Sequence, residues 1–346
     1  MPKPADLTLS ALSLRDATPQ DHADMTAFDN AIRREFLPDD PPIGPDELAA
    51  QARGLPPFVD VLVWLLRDGP RVVGAAHLVL LRLKQNAHLA QLELGVLPEY
   101  RRRGLGTRLL RVAVAAAEAD GRQLLMTGTS SRVPAGEAAL AHAGAQAALA
   151  NHTNQLDLAA LDPALLDRWL TQADDAHEIL LWDGPIPDGH LPGMADLMAV
   201  MNTAPRGDLD MQDFHFDVAQ LRDLEHMRAA SGRRRLMAVA RHSASGALVG
   251  YSELSWHPDR AGIVSQGATG VRPEARGHQL GRRLKAANLR ALLAANPDAR
   301  FVRTSNADSN AAMLRINTEL GFAPHQATTD WQWPVAAARA YLDARS

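Results

Sequence analysis

The sequence predicts an α/β fold with mixed sheets, built twice along one chain, and three observations carry that expectation. The stretch Glu93-Leu-Gly-Val96-Leu-Pro98-Glu-Tyr-Arg101-Arg-Arg-Gly104-Leu-Gly106-Thr-Arg-Leu-Leu110 reads as strand, basic-glycine loop and helix. Leu92, Leu94 and Val96 alternate as a strand does, and Leu105, Leu109, Val112, Ala113 and Ala116 recur at helical spacing. Pro98 cannot continue a ladder, so the strand ends near it. The same pattern returns 175 residues later: Val96 maps to Val271, Pro98 to Pro273, Arg101 to Arg276, Leu105 to Leu280, Gly106 to Gly281 and Leu109 to Leu284. A chain of 346 residues, 46% apolar and 22% charged, has the length and composition of two soluble globular domains.

In chain order, residues 1–9 read as a loose tail and Leu12 to Arg15 as a first strand. Thr18-Pro-Gln-Asp21 is a helix start, with Met25, Phe28 and Ile32 following at helical spacing. Leu37 to Asp46, rich in Pro and Asp, is a loop, and Glu47 to Arg53 is helical. Val59 to Arg67 and Val72 to Leu81 form a hairpin about Asp68-Gly69-Pro70. After the basic-glycine loop and its helix come a strand at Leu124 to Thr127, a helix over Pro134 to Ala148 and a last strand at Gln155 to Leu158. Leu161 to Ala176 is a helical connector, giving domains 1–160 and 177–346.

The second copy opens with a strand at His177 to Trp182. Met194 to Met201 is helical, Gly207 to Phe216 is a loop, and Asp217 is an N-cap for a helix over Val218 to Ser231. Arg235 to His242 and Leu248 to Ser255 form a hairpin. Ile263 to Val271 enters the second loop, Phe301 to Thr304 is a strand, and Asn310 to Leu320 is a helix stopped by Gly321. Trp331 to Pro334 closes the sheet before a C-terminal helix.

Net charge is −4, which argues against a nucleic-acid surface. The absence of Cys excludes disulfides, thiolate metal sites and a Cys nucleophile. The thirteen His residues show no metal spacing. Met1-Pro-Lys-Pro-Ala-Asp6 lacks an apolar signal core, no run approaches a membrane span, and the chain is expected to be cytoplasmic. A glycine loop opening a helix aims free N–H groups and the positive end of the helix dipole at an anion. Gly104 and Gly106 let a ligand approach the backbone, and Arg101 to Arg103 add charge. The expected ligand is a phosphate, in the form of a diphosphate. The Arg run could also be an ordinary solvated charge cluster.

Each half reads strand, helix, hairpin, strand, loop, helix, strand, helix, strand. Together with Arg-x-x-Gly-x-Gly at 101–106, this resembles the GCN5-related N-acetyltransferase (GNAT) family, in tandem over residues 10–335. The resemblance implies two acyl-CoA-binding domains whose loops cradle the pyrophosphate of acetyl-CoA or another short acyl-CoA. Carried onto this chain, the cofactor positions are Leu94, Val96, Arg101, Arg102, Arg103, Gly104, Leu105, Gly106 and Thr107. In the second copy they are Val271, Arg276, Gly277, His278, Gln279, Leu280, Gly281 and Arg282. There Gln279 stands where the middle Gly is expected, and a positive φ at Gln279 would be costly. Asn310 to Phe322 resembles the family's Asn-x-x-Ala-x-x-x-Tyr-x-x-x-Gly-Phe helix, with Asn317 in place of Tyr. Asn306 and Asn310 are read as pantetheine contacts or helix caps, and Asn317 as a neighbour of the sulfur or a satisfied helix residue.

Acyl transfer to an amine needs a base, because an ammonium near pKa ~10 has no lone pair. Glu93 is the base expected in the first domain; a salt-bridged strand Glu is the alternative. Ala268 holds that position in the second domain, where Glu253 on the preceding strand is the substitute, its counterpart by register in the first half being His77; the alternative is an edge-strand or buried paired carboxylate. The implied activity is acyl-CoA-dependent N-acetyl transfer to a small-molecule amine. The alternative is an acyl-CoA sensor with one or both halves structural. Acidic loops at 37–46 and 205–216 would suit a cationic acceptor. No nucleic-acid or membrane partner is expected, and monomer and homodimer stay open.

Overall fold

A computed structural model describes residues 7–171 and 175–345. Part of the expected tail (residues 1–6) and part of the connector (172–174) lie outside the described residues. The chain divides into two compact units. One comprises residues 1–150, 208–211 and 328–346, the other 151–207 and 212–327.

The first unit contains β1 (Thr8–Leu12), α1 (Pro19–Phe36), α2 (Pro45–Arg53), β2 (Val59–Asp68), β3 (Arg71–Leu81), β4 (Leu89–Val96), α3 (Leu105–Ala119), β5 (Leu124–Ser130) and α4 (Pro134–His142). The first strand lies before the expected Leu12 to Arg15, and Thr18 and Asp21 form a reciprocal capping box at the front of α1. β6 (Gln146–Asp157) follows. The expected helix over Pro134 to Ala148 is therefore shorter, and the last strand far longer, than the sequence suggested. Gly144, at φ +81°, breaks the helical run, and beyond it the chain enters the strand.

The remaining elements are α5 (Pro163–Leu170), β7 (His177–Asp183), α6 (Leu191–Met198), α7 (Val218–Ala230), β8 (Arg234–His242), β9 (Leu248–Trp256), β10 (Ile263–Val271), α8 (Leu280–Ala295), β11 (Phe301–Ala307), α9 (Ala311–Leu320), β12 (Ala323–Pro334) and α10 (Val335–Asp343). Asp217 caps α7 through a capping box, and Gly321 ends α9 in the left-handed region at φ +94°.

Strand pairing departs from the expectation at one place. Trp331 to Pro334 does close a sheet, but the sheet is that of the first unit, where Thr328–Pro334 pairs antiparallel with Ser130–Leu124 of β5. Conversely, residues 151–157 of β6 pair antiparallel with β11 in the second unit. Each sheet is thus completed by a strand from the other half of the sequence. The first unit runs β1-β2-β3-β4-β5-β12 and the second β6-β11-β10-β9-β8-β7.

The faces of each sheet are set by alternation. In the first unit, the position of Gly74 faces Leu109 of α3, and that of Gly95 faces Phe28 and Ile32 of α1. The second unit repeats this. Gly250 faces Leu284 of α8, and a Cβ on Gly270 would lie 2.5 Å from Val200, so only glycine permits that approach. Apolar clusters fill both faces, around Leu109, Leu66 and Val73 in one unit and around Leu254, Val302 and Leu289 in the other.

Candidate active site

The two basic-glycine loops have the same conformation, and the structure explains how Gln279 is accommodated. Each loop holds two residues in the left-handed region. In the first they are Arg102 (φ +61°) and Gly104 (φ +77°); in the second, Gly277 (φ +87°) and Gln279 (φ +54°). The shifted glycine has moved from one left-handed position to the other, so the expected costly φ is present and confined to one residue per loop.

Arg101 and Arg276 also play one role twice. Arg101 Nε donates to the Val96 carbonyl at 2.9 Å, and its fork grips Glu35 of α1 at 2.9 and 2.5 Å. Arg276 Nε donates to the Val271 carbonyl at 3.1 Å and Nη2 to Thr203 Oγ1 at 2.9 Å. Both fold back onto the end of their own strand and fix the loop's path. Arg103 donates to the Glu99 carbonyl and lies over the Tyr100 ring. Arg282 is paired with Glu319 and lies over Trp169. Among the described residues, Arg102 alone of the first run has no such partner.

At the front of α3, the N–H groups of Leu105, Gly106 and Thr107 have no acceptor among the described residues, and Gly104 supplies no side-chain cap. Those of Gln279, Leu280 and Gly281 stand likewise before α8. A Cβ on Gly104 would meet nothing within 4 Å, and one on Gly106 only Leu94 at 3.9 Å. Leu94 itself is 38% exposed, an apolar side chain left uncovered beside the loop. His278 stands with its ring 5.1 Å from that of His177.

Next to each loop the sheet opens. β4 and β5 run parallel and pair only at Leu89–Gln91 with Leu124–Met126. β10 and β11 pair only at Ile263–Ser265 with Phe301–Arg303. Beyond those three rungs the strands part, so the backbone edge of β4 from Leu92 to Val96, which includes Leu94 and Val96, has no partner on the β5 side. A main-chain amide of a ligand can hydrogen-bond to such an edge.

On the α1 face of the first unit, Glu93 lies opposite His77, with His77 Nδ1 3.9 Å from Glu93 Oε2. His77 holds the Glu93 carboxyl below the usual carboxylate range against a smaller opposing effect of burial, and its side chain is 64% exposed. Asp29 of α1 feels both groups. Burial raises its pKa, with His77 opposing and Glu93 reinforcing that shift. Asp29 was not singled out from the sequence, although its place between Phe28 and Ile32 on an apolar helix face was a readable signal.

The second unit differs. A β-bulge between Gln266 and Thr269 sets Gly267 and Ala268 opposite Glu253. Glu253 is clasped by Arg228 at 2.5 Å, with Arg235 at 3.8 Å. Arg235 also grips Glu225 with both terminal nitrogens, at 2.6 and 2.5 Å. Glu253 is therefore in the paired-carboxylate arrangement. Asn306 and Asn317 are brought together, Asn317 Nδ2 donating to Asn306 Oδ1 at 2.7 Å, while Asn317 Oδ1 is buried without a partner. Asn310 caps α9 by accepting from the Met313 N–H. Lys285 of α8 is buried, its Nζ 5.6 Å from the Phe322 ring centroid, and burial lowers its pKa to about 7. It occupies the register of Leu110, and a lysine in an apolar stripe could have been noticed. Among the described residues no group of three or more His, Asp or Glu is placed to hold a metal ion, and no helix is long and apolar enough to cross a membrane.

Residues 26–138 match the model of the acetyltransferase (GNAT) family. No curated protein matches the chain. Among solved structures, a tandem GNAT protein from the clavulanic acid biosynthesis pathway is 28% identical with a TM-score of 0.78, over 95% of this chain and 99% of that one. A GCN5-related N-acetyltransferase from Sphaerobacter thermophilus shares the fold at 13% identity and a TM-score of 0.67, over 94% of this chain and 96% of that one. So does a glucosamine N-acetyltransferase region of a fungal multi-domain beta-N-acetylglucosaminidase, at 15% identity and a TM-score of 0.64, over 96% of this chain and 38% of that one.

Fold, loop and family match together define the class: residues 26–138 lie in a GNAT-family acetyltransferase domain. Over 95% of its length the chain is similar to a tandem protein of that family, and its second half repeats the fold of the first.

Proposed function

We propose that the protein transfers an acyl group, most simply acetyl, from a coenzyme A thioester to the amine of a small molecule, and that the first unit performs the chemistry. The observation that carries this reading is the row of unpartnered N–H groups at Leu105, Gly106 and Thr107, placed behind a left-handed Gly104 and beside the parted strands β4 and β5. These donors and the helix dipole fit a diphosphate. The free edge of β4 at Leu94 and Val96 fits the amides of a pantetheine arm. The thioester supplies an activated acyl group.

What the chain's own side chains do follows from their placement. Glu93, ionised and exposed, accepts the proton that an ammonium must lose before its nitrogen can attack. His77 keeps that carboxylate ionised, and Asp29 adds acidic character that suits a cationic acceptor. Arg101 positions the loop through Glu35, and Arg102 is free to meet a phosphate.

Calorimetric titration with acetyl-CoA tests the reading on wild type and on Gly104→Glu and Gly281→Glu. Heat in wild type that is lost in Gly104→Glu supports it, and no heat in wild type defeats it. Release of free CoA across a panel of amines then separates catalysis from sensing. A second reading, that the second unit binds without turning over, is favoured by the Arg228 and Arg235 clasp on Glu253. A carboxylate so held is a poor proton acceptor.

A further inference from the structure

The second unit contains a cavity of about 110 Å³, lined by Ile186, Met194, Met198, Leu221, Met237 and Ala268 and floored by Tyr251, Glu253, Arg228 and Glu225. An apolar cavity of roughly 150 Å³ holds a benzene ring, so this one suits about five or six non-hydrogen atoms. Its walls come from α6 and α7 above and β8, β9 and β10 below. Tyr251 and Glu253 are two residues apart on β9 and so share the face that looks into it.

The floor holds one arginine and two glutamates, with Arg235 outside the lining pairing Glu225 and lying 3.8 Å from Glu253, so its charges balance while its spare capacity is lopsided. Glu225 is fully engaged, accepting twice from Arg235 and once from the Ile186 N–H. Arg228 gives one N–H to Glu253, and its remaining donors have no acceptor among the described residues. Its side chain is 35% exposed, at the margin of the cavity. Tyr251 is 3% exposed, and its hydroxyl, which makes no hydrogen bond among the described residues, keeps accessible surface where the side chain lines the cavity. A ligand entering the cavity can accept a hydrogen bond from that hydroxyl. Burial, reinforced by Glu253, also raises the Tyr251 pKa far above neutrality, so the phenol stays a donor. The unfilled groups are thus donors, next to a methionine-rich apolar wall that adapts to irregular shapes.

We propose that this cavity binds a small carboxylate carrying a short branched apolar group, its oxygens taken by the Arg228 fork and the Tyr251 hydroxyl and its hydrocarbon end by Ile186, Met194, Met198 and Leu221. The basic-glycine loops and Glu93 of the first unit do not contribute to the site; Glu253, the second domain's base candidate, lies in its floor but is held by Arg228. The site would give the second unit a ligand of its own.

The test uses the full chain without acetyl-CoA. 2-Methylpropanoate, the matched isobutylamine and isobutanol are titrated by calorimetry into wild type, Arg228→Lys, Tyr251→Phe and Met194→Trp. The expected result is saturable binding of the carboxylate alone, weakened about tenfold in Arg228→Lys and several-fold in Tyr251→Phe, and abolished in Met194→Trp. Arg228→Lys keeps the charge beside Glu253, so it separates loss of the fork from loss of the fold; far-UV circular dichroism and melting check each variant. Amine binding as tight as the acid overturns the proposal. So does an absence of heat with all three probes, or carboxylate binding that survives Met194→Trp.

Discussion

The left-handed residues of the two loops give a prediction whose sign reverses between neighbouring positions. Gln279 is exposed, its side chain makes no hydrogen bond among the described residues, and it sits at φ +54°. Its replacement by glycine removes no contact and relieves a left-handed backbone worth about 1–2 kcal/mol in an L-residue. Against this stands the greater freedom of glycine in the unfolded chain, roughly 0.5–1 kcal/mol. The net expectation for Gln279→Gly is a gain of about 0.5–1 kcal/mol. Gly277→Ala, at φ +87° with nothing within 4 Å of its Cβ, carries no steric cost and should lose a similar amount from backbone strain alone. The first loop inverts the positions: Arg102→Gly should stabilise and Gly104→Ala destabilise. For units of this size 1 kcal/mol moves the melting temperature by about 2–4 °C. Differential scanning calorimetry on the four variants therefore resolves two upward and two downward shifts. If Gln279→Gly melts lower than wild type, or Gly277→Ala is neutral, the loops do not share one conformation and the equivalence drawn between them fails.

Lys285→Met should stabilise the protein at pH 7–8. The folded pKa near 7 lies below the usual lysine value of 10.5, so between those limits the unfolded state holds a proton the folded state lacks, and wild-type stability rises with pH by about 1.4 kcal/mol per unit. Urea melts from pH 7 to 9.5 should show the advantage of Lys285→Met shrinking steadily; a constant difference would mean Lys285 is not held neutral. Arg235→Met leaves Glu225 without its double-donor partner in a buried site and should cost about 3 kcal/mol, read by denaturant unfolding. Glu93→Gln should lower acyl transfer while leaving acetyl-CoA binding in place. His77→Ala should move the acid limb of the pH–rate profile upward, because His77 is what holds the Glu93 carboxyl low; an unmoved limb would remove Glu93 as the titrating group.

How much of this was legible follows from the kind of interaction involved. Both loops, their helices and the hairpins were readable because alternation, helical spacing and Pro98 or Pro273 are local signals. The strand exchange was not. Trp331 pairs with Thr127 and Trp333 with Leu125, partners about two hundred residues earlier in the chain, and no local pattern in either strand names the other. At the site, residue type located Glu93 and Glu253 but not their partners. Glu253 meets Arg228 from another element, and Glu35 meets Arg101 across a 66-residue gap. The basic run reads as phosphate-facing charge or a solvated cluster, whereas Arg101 spends its Nε on the Val96 carbonyl and its fork on Glu35.

The two halves therefore diverge at one chemical point while keeping the same frame. Both keep a glycine-assisted turn, a bare row of N–H groups and a pair of parallel strands that part after three rungs. The first keeps an exposed carboxylate on the strand that enters the turn, beside a histidine. The second inserts a bulge at that place, so its carboxylate comes from the neighbouring strand and is neutralised by two guanidinium groups. A bulge re-aims side chains without moving the helix it precedes. An anion cradle can thus persist in a half whose nearest carboxylate is paired and lines a cavity. That separation is why binding and turnover must be measured independently in each half: Gly281→Glu addresses the second cradle alone, and Glu93→Gln addresses chemistry in the first alone.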